Sequence, residues 1–162
     1  MARSSRKQPR AGDVLEVKTS SGYSYALYSH EHQQFGSLLR VFAGAVASPV
    51  IDLSNVINQQ LLFTHFFPLA SELRQKDSPI RIAGHVDIPK WAVKLPIFRN
   101  GLPDRDGTIH DWWLWDGVKE WKVGSLNPKQ IQSYPGLGTL NLPALIQMIE
   151  NQWTSWDPEG RE

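Results

Sequence analysis

Three stretches of this chain concentrate side chains able to bind a metal, move a proton or grip a partner. His30-Glu31-His32 sets two imidazoles two residues apart, so a strand would carry both on one face as a pair of metal ligands. No third ligand stands nearby, and a polar loop after a strand accounts for the triplet better. Asp104, Asp106, His110 and Asp111 gather carboxylates around an imidazole, the makings of an acid/base pair or an oxygen-rich cation site. Pro103-Asp104-Arg105-Asp106-Gly107 also reads as a turn in which aspartate bonds its own backbone, and it lacks the ligand spacing of a calcium loop.

The third stretch is Trp112-Trp113-Leu114-Trp115-Asp116-Gly117-Val118-Lys119-Glu120-Trp121. Asp-Gly between aromatic runs favours a hairpin with a two-residue turn. That register sets Trp115 opposite Val118, Trp112 opposite Trp121 and Asp111 opposite Lys122. Alternation then puts Trp112, Leu114 and Trp121 on one face, and Asp111, Trp113, Trp115, Glu120 and Lys122 on the other. The Trp112–Trp121 face is expected in the core. The mixed face has the composition of a contact surface, since tryptophan is enriched at interaction hot spots. The plainer account has a C-terminal helix covering that face. A bulged turn would slip the register and exchange the assignments.

Other reactive types carry less. His65 and His85 lie in apolar runs and read as core or interface histidines. No serine sits in a nucleophile-elbow context, and Gly136-Leu137-Gly138 lacks the spacing of a phosphate loop. Catalytic residues, metal ligands and cofactor motifs are therefore not assigned, and a binding protein is expected rather than an enzyme.

These candidates must be carried by short elements. Strands are expected at Asp13–Thr19, Tyr23–Tyr28, Phe35–Phe42, Val50–Ile57, Gln60–Phe67 and Ile80–Val86, with a turn at Ser20-Ser21-Gly22. A short helix is expected near 68–75, with Pro68 at its first position. Residues 87–106 read as an extended connection. Leu142, Leu145, Ile146, Ile149 and Trp153 form one apolar stripe on a helix near 142–153, with Asn141 as cap. Leu145 and Ile149 join Trp112 and Trp121 as expected core. The fold class is mainly β, a β-rich α+β arrangement with a strongly bent antiparallel sheet or a small SH3-like barrel.

A chain of 162 residues suits one domain, expected over 12–157, between a disordered basic tail at 1–11 and a short tail at 158–162. There are no cysteines, which removes disulfides, zinc thiolates and a cysteine nucleophile. No apolar run reaches the ~20 residues of a membrane span, so a cytoplasmic protein with no membrane partner is expected. Seventeen basic against sixteen acidic residues leave a formal charge of +1, far from the basic balance of most nucleic-acid-binding domains. The runner-up function is nonetheless a nucleic-acid-binding small barrel using aromatic stacking and the N-terminal tail. A third is an enzyme or carbohydrate binder with a tryptophan-lined cleft.

The order of motifs resembles the immunity protein 26 family of bacterial polymorphic toxin systems. The matching pieces are Gly12-Asp13-Val14-Leu15-Glu16-Val17, Gly22-Tyr23-Ser24-Tyr25-Ala26, Phe67-Pro68-Leu69, Arg81-Ile82-Ala83-Gly84-His85, Pro96-Ile97-Phe98-Arg99 and the hairpin through Val123. Together they span most of residues 12–155. The resemblance implies a mostly-β fold and neutralisation of a cognate toxin by direct binding, without fixing which toxin. Inhibitors that plug nuclease sites tend to be acidic, whereas this chain is nearly neutral.

Overall fold

A computed structural model describes residues 8–154. Among the described residues eight strands form two antiparallel sheets, with five short helices, so the chain is mainly β. The larger sheet contains β1 (Asp13–Thr19), β2 (Gly22–His32), β3 (Gly36–Phe42), β4 (Leu61–Phe67) and β5 (Ile80–His85), in the order β4-β3-β2-β1-β5. Bulges interrupt the β1–β5, β2–β3 and β3–β4 ladders, where each adds local twist. The sheet stays open, which excludes the closed-barrel alternative.

Both faces of this sheet are covered, which explains why β1 to β3 are buried almost throughout rather than alternately. One face packs Leu15, Val17, Tyr28, Leu39, Val41 and Phe63 against α2 (Leu69–Leu73) and α5 (Leu142–Glu150), which contribute Leu69, Leu145 and Ile149. The other packs Val14, Tyr25, Leu27 and Phe42 under α1 (Leu53–Val56) and α3 (Lys90–Val93). Leu145 and Ile149 are core as expected. Asn141 caps α5 by accepting from the Ala144 N–H at 2.9 Å. The helix stops at Glu150, short of Trp153, and lies on the large sheet instead of covering the tryptophan hairpin.

Several expectations change. Residues 50–57 form no strand: Asp52 accepts from the Ser54 N–H at 3.0 Å and starts α1 instead. Pro68 is the N-cap of α2 rather than its first residue. Strand β2 runs on to His32, so His30-Glu31-His32 is strand and not loop. Residues 87–106 hold α3 and β6 (Phe98–Asn100). A further helix, α4 (Pro128–Ser133), is nucleated by a capping box between Asn127 and Gln130. Of the presumed tail, residues 1–7 lie outside the described residues, as do 155–162. Residues 8–11 are placed by a turn in which Arg10 N–H donates to Asp13 Oδ2 at 2.8 Å and the Arg10 carbonyl accepts from Asp13 N–H at 3.0 Å.

The smaller sheet, β6-β7-β8, contains β6, β7 (Trp112–Trp115) and β8 (Glu120–Gly124). Two devices hold it to the larger one. Trp115 and Phe98 pack with His32, Phe35 and Phe66 at centroid distances of 5.1 to 6.4 Å, an aromatic joint between the sheets. The second is a strap over α3. Arg40 Nη2 donates to the Ala92 and Lys94 carbonyls, and His30 Nε2 lies 2.8 Å from the Val93 carbonyl, to which it donates. Arg40 Nε donates to Ser29 Oγ, and its guanidinium stacks beneath Trp91. Burial pushes Arg40 down to about 10, still far above neutrality, so the cation persists.

Candidate functional site

The Asp-Gly hairpin forms, but its loop has four residues, not two. Asp116 N–H donates to the Lys119 carbonyl, while Asp116 Oδ1 accepts from the N–H groups of Val118 and Lys119 at 2.9 and 2.7 Å. Those donors, Lys119 first, hold the Asp116 carboxyl below the usual carboxylate range. The self-contained aspartate loop adds two residues, so the cross-strand partners of Trp113, Leu114 and Trp115 move by two, and a bulge moves that of Trp112 by three. Trp115 faces Glu120, Leu114 faces Trp121, Trp113 faces Lys122, and Trp112 faces Gly124 across a bulge. A slip of two preserves parity, so the residues assigned to each face stay together although their partners change.

Burial follows position in the sheet as much as face. On one face Trp112, Leu114 and Arg99 are buried, with Arg99 Nε donating to the Ile131 carbonyl of α4 and its guanidinium stacking on Trp112. Trp121 shares that face but stands on the edge strand and is 37% exposed. It is therefore not core, and Trp112 meets no tryptophan across the ladder. The opposite face divides along its length. At one end Phe98 and Trp115 enter the aromatic joint, so Trp115 is a packing residue rather than a free contact. At the other end Asn100, Trp113 and Lys122 form a row open to solvent, with Trp113 38% exposed.

That open end is a groove of about 490 Å³ lined by Asn100, Gly101, Leu102, Asp104, Asp111, Trp113 and Glu120. Lys122 Nζ reaches Asp111 at 3.3 Å, and His110 Nε2 reaches Asp104 at 3.1 Å, all four side chains being more than half exposed. Of the contact residues read from the sequence, Asp111, Trp113, Glu120 and Lys122 are thus brought together, and only Trp115 is withdrawn. Three carboxylates around one lysine and one exposed indole make the groove locally acidic, although the chain as a whole is not. Asp104 joined the set because its loop, closed by Asp104 N–H to the Thr108 carbonyl, folds back toward β7. Asp106 does not: its carboxylate accepts from Thr108 N–H, which holds its pKa down.

The remaining reactive groups are engaged in the framework. Glu31 accepts from Tyr28 Oη and Ser37 Oγ, both at 2.7 Å. His32 Nδ1 accepts from the Gln34 and Phe35 N–H groups. Burial lowers both His30 and His65. His85 Nδ1 meets the fully buried Asp13 at 2.8 Å, and Arg81 grips the buried Glu16 across β1–β5. Both pairs link residues at least 65 positions apart, which no local spacing signals. Among the described residues no group of three or more histidine, aspartate or glutamate side chains is arranged to hold a metal ion, and no helix is long and apolar enough to cross a membrane.

No protein-family model, curated protein or solved structure matches this chain.

Proposed function

We propose that this chain is an immunity-type binding protein, which neutralises a cognate bacterial toxin by covering it with the face of the smaller sheet that carries Trp113. The observation that carries the reading is Trp113 itself: a large indole left 38% exposed beside Asp111, Glu120 and Lys122, while neighbouring Trp112 and Trp115 are packed away. An exposed aromatic anchor ringed by polar groups is the makeup of an interaction hot spot. The ordered motifs that resemble the immunity protein 26 family support the same class. The carboxylates of Asp104, Asp111 and Glu120 favour a partner surface that presents lysine or arginine, both by charge and by cation–π contact with the indole. They also disfavour a nucleic-acid backbone at this groove, since phosphates would meet like charge.

The test is calorimetric titration of the purified chain with the toxin domain encoded beside its gene, paired with growth of cells expressing that toxin. Tight binding and growth protection that both weaken in Trp113→Ala support the reading; no binding to any neighbouring toxin domain rejects it. A second reading draws on the same groove, in which a sugar ring stacks on Trp113 and hydrogen-bonds Asn100 and the carboxylates. Saturable quenching of tryptophan fluorescence by a glycan, lost in Trp113→Ala, would favour it over a protein partner.

A further inference from the structure

The smaller sheet has one edge that nothing among the described residues occupies. The outer edges of β4 and β6 are taken: Leu140 N–H donates to the Phe66 carbonyl, and Arg99 exchanges hydrogen bonds with the segment 135–137. β8 pairs with β7 on one side only, and Glu120, Trp121, Lys122 and Val123 are all exposed. Its hydrogen-bonding phase can be read from the loop. The Lys119 carbonyl points at Asp116 of the opposing arm. Phase alternates along an antiparallel ladder, so Trp121 also directs its peptide groups at β7, while Glu120 and Lys122 direct theirs outward.

A bare strand edge carrying exposed Trp121 and Val123 is a template for strand addition. We infer that its occupant is a second copy of this chain, paired β8 to β8 in antiparallel sense about a two-fold axis at Trp121. Three registers pair the outward-directed peptides of Glu120 and Lys122 with one another. Centring on Lys122 opposes two lysines, and centring on Glu120 opposes two glutamates. Centring on Trp121 sets Glu120 opposite Lys122 of the second copy, twice by symmetry, and brings the two indoles into contact. Lysine at an edge ordinarily discourages pairing; glutamate two residues earlier on the same face converts that guard into a matched pair. The contact is isologous and closes at two chains, without propagating into fibres. It shares Glu120 and Lys122 with the groove of the toxin-binding reading, but its main-chain contacts lie on the edge of the sheet and not on the face at Trp113, and Trp113→Ala, which weakens toxin binding, leaves the dimer intact.

The experiment is analytical ultracentrifugation of the whole chain over a wide concentration range. The expected result is a reversible monomer–dimer equilibrium, weak because the strand is short. Glu120→Lys alone and Lys122→Glu alone each raise the dissociation constant about tenfold or more, and the double reversal restores it to within about threefold. Hydrogen exchange on the unmodified chain supplies a check that needs no variant: the Glu120 and Lys122 amides gain protection with concentration, while the Trp121 amide does not change. A monomer at the highest concentration overturns the inference. So does a dimer indifferent to both single reversals, or an absence of concentration-dependent protection.

Discussion

Arg81 holds the buried carboxylate of Glu16 with two nitrogens, Nε at 2.6 Å and Nη2 at 2.9 Å, and Tyr25 Oη donates to the same carboxylate at 2.9 Å. Tyr25 Oη in turn accepts from the Val50 N–H, so the network ties β1, β2 and β5 to the segment leading into α1. Arg81→Met would leave Glu16 buried with one partner fewer. Removing one member of a buried pair costs about 3–5 kcal/mol. Because Arg81 is 41% exposed at its side chain, water screens part of that loss, and about 2–3 kcal/mol is expected. Urea unfolding of the variant against the parent measures it, and a change below about 0.5 kcal/mol would contradict the network's role.

The four hairpin tryptophans separate by environment. Trp112→Ala is expected to cost about 3–5 kcal/mol, as a large aromatic truncated in a packed site. Trp115→Ala loosens the aromatic joint and costs about 2–4 kcal/mol. Trp113→Ala and Trp121→Ala each cost about 1 kcal/mol or less, since both side chains face solvent. Thermal unfolding of the four variants ranks them.

Partner binding orders the same variants differently. On the proposed reading, Trp113→Ala is expected to weaken affinity for the toxin domain by about thirtyfold or more, the scale of an interface anchor. Equal losses in Trp113→Ala and Trp121→Ala would place the contact on the edge of the sheet rather than in the groove.

Alkaline stability should depend on Tyr28. Burial, and then the hydrogen bond donated to Glu31, push its phenol up from 10.0 to about 12. The native state therefore holds this proton more tightly than the unfolded chain does. The contribution is complete below pH 10 and disappears as pH climbs toward 12. Tyr28→Phe, which cannot ionise, should show a shallower loss of stability across that window when unfolding midpoints are compared.

Acid acts in the opposite sense through His30 and His65. Burial holds both below the ordinary 6.5, so the native state resists protonation that the unfolded chain accepts. Their contribution is present above 6.5 and is lost as pH falls through the lowered native values. Replacing His65 with glutamine should flatten that limb of the stability profile, and an unchanged slope would show that His65 takes no part in it.

Much of the site was legible because hairpins are local. Alternation across Trp112–Lys122 gathers the right side chains on each face, and parity survived even when the loop gained two residues. Loop length was not legible, because Asp116 closes four residues with its own carboxylate as readily as Asp-Gly closes two. Nor was the fate of Trp121, which depends on β8 being the edge strand of its sheet. Strands β1 to β4 showed in their apolar runs, and α5 in its stripe. The short helices α1 and α4 were missed because one capping side chain, Asp52 or Asn127, outweighs the residues that follow. The pairs Asp13–His85 and Glu16–Arg81 required the β1–β5 ladder before their spacing meant anything.

The strap over α3 bears on how this chain can change. Arg40 and His30 fasten three successive main-chain carbonyls, at Ala92, Val93 and Lys94, from positions 52 to 63 residues away. Hydrogen bonds to carbonyls do not discriminate among the side chains beside them, and Val93 and Lys94 both project into solvent. The attachment of the smaller sheet is thus blind to the residues at those two positions. They can be varied, tagged or grafted without moving the hairpin, while an exchange at Arg40 would remove two of the three fastenings and leave the His30 contact and the aromatic joint to hold it.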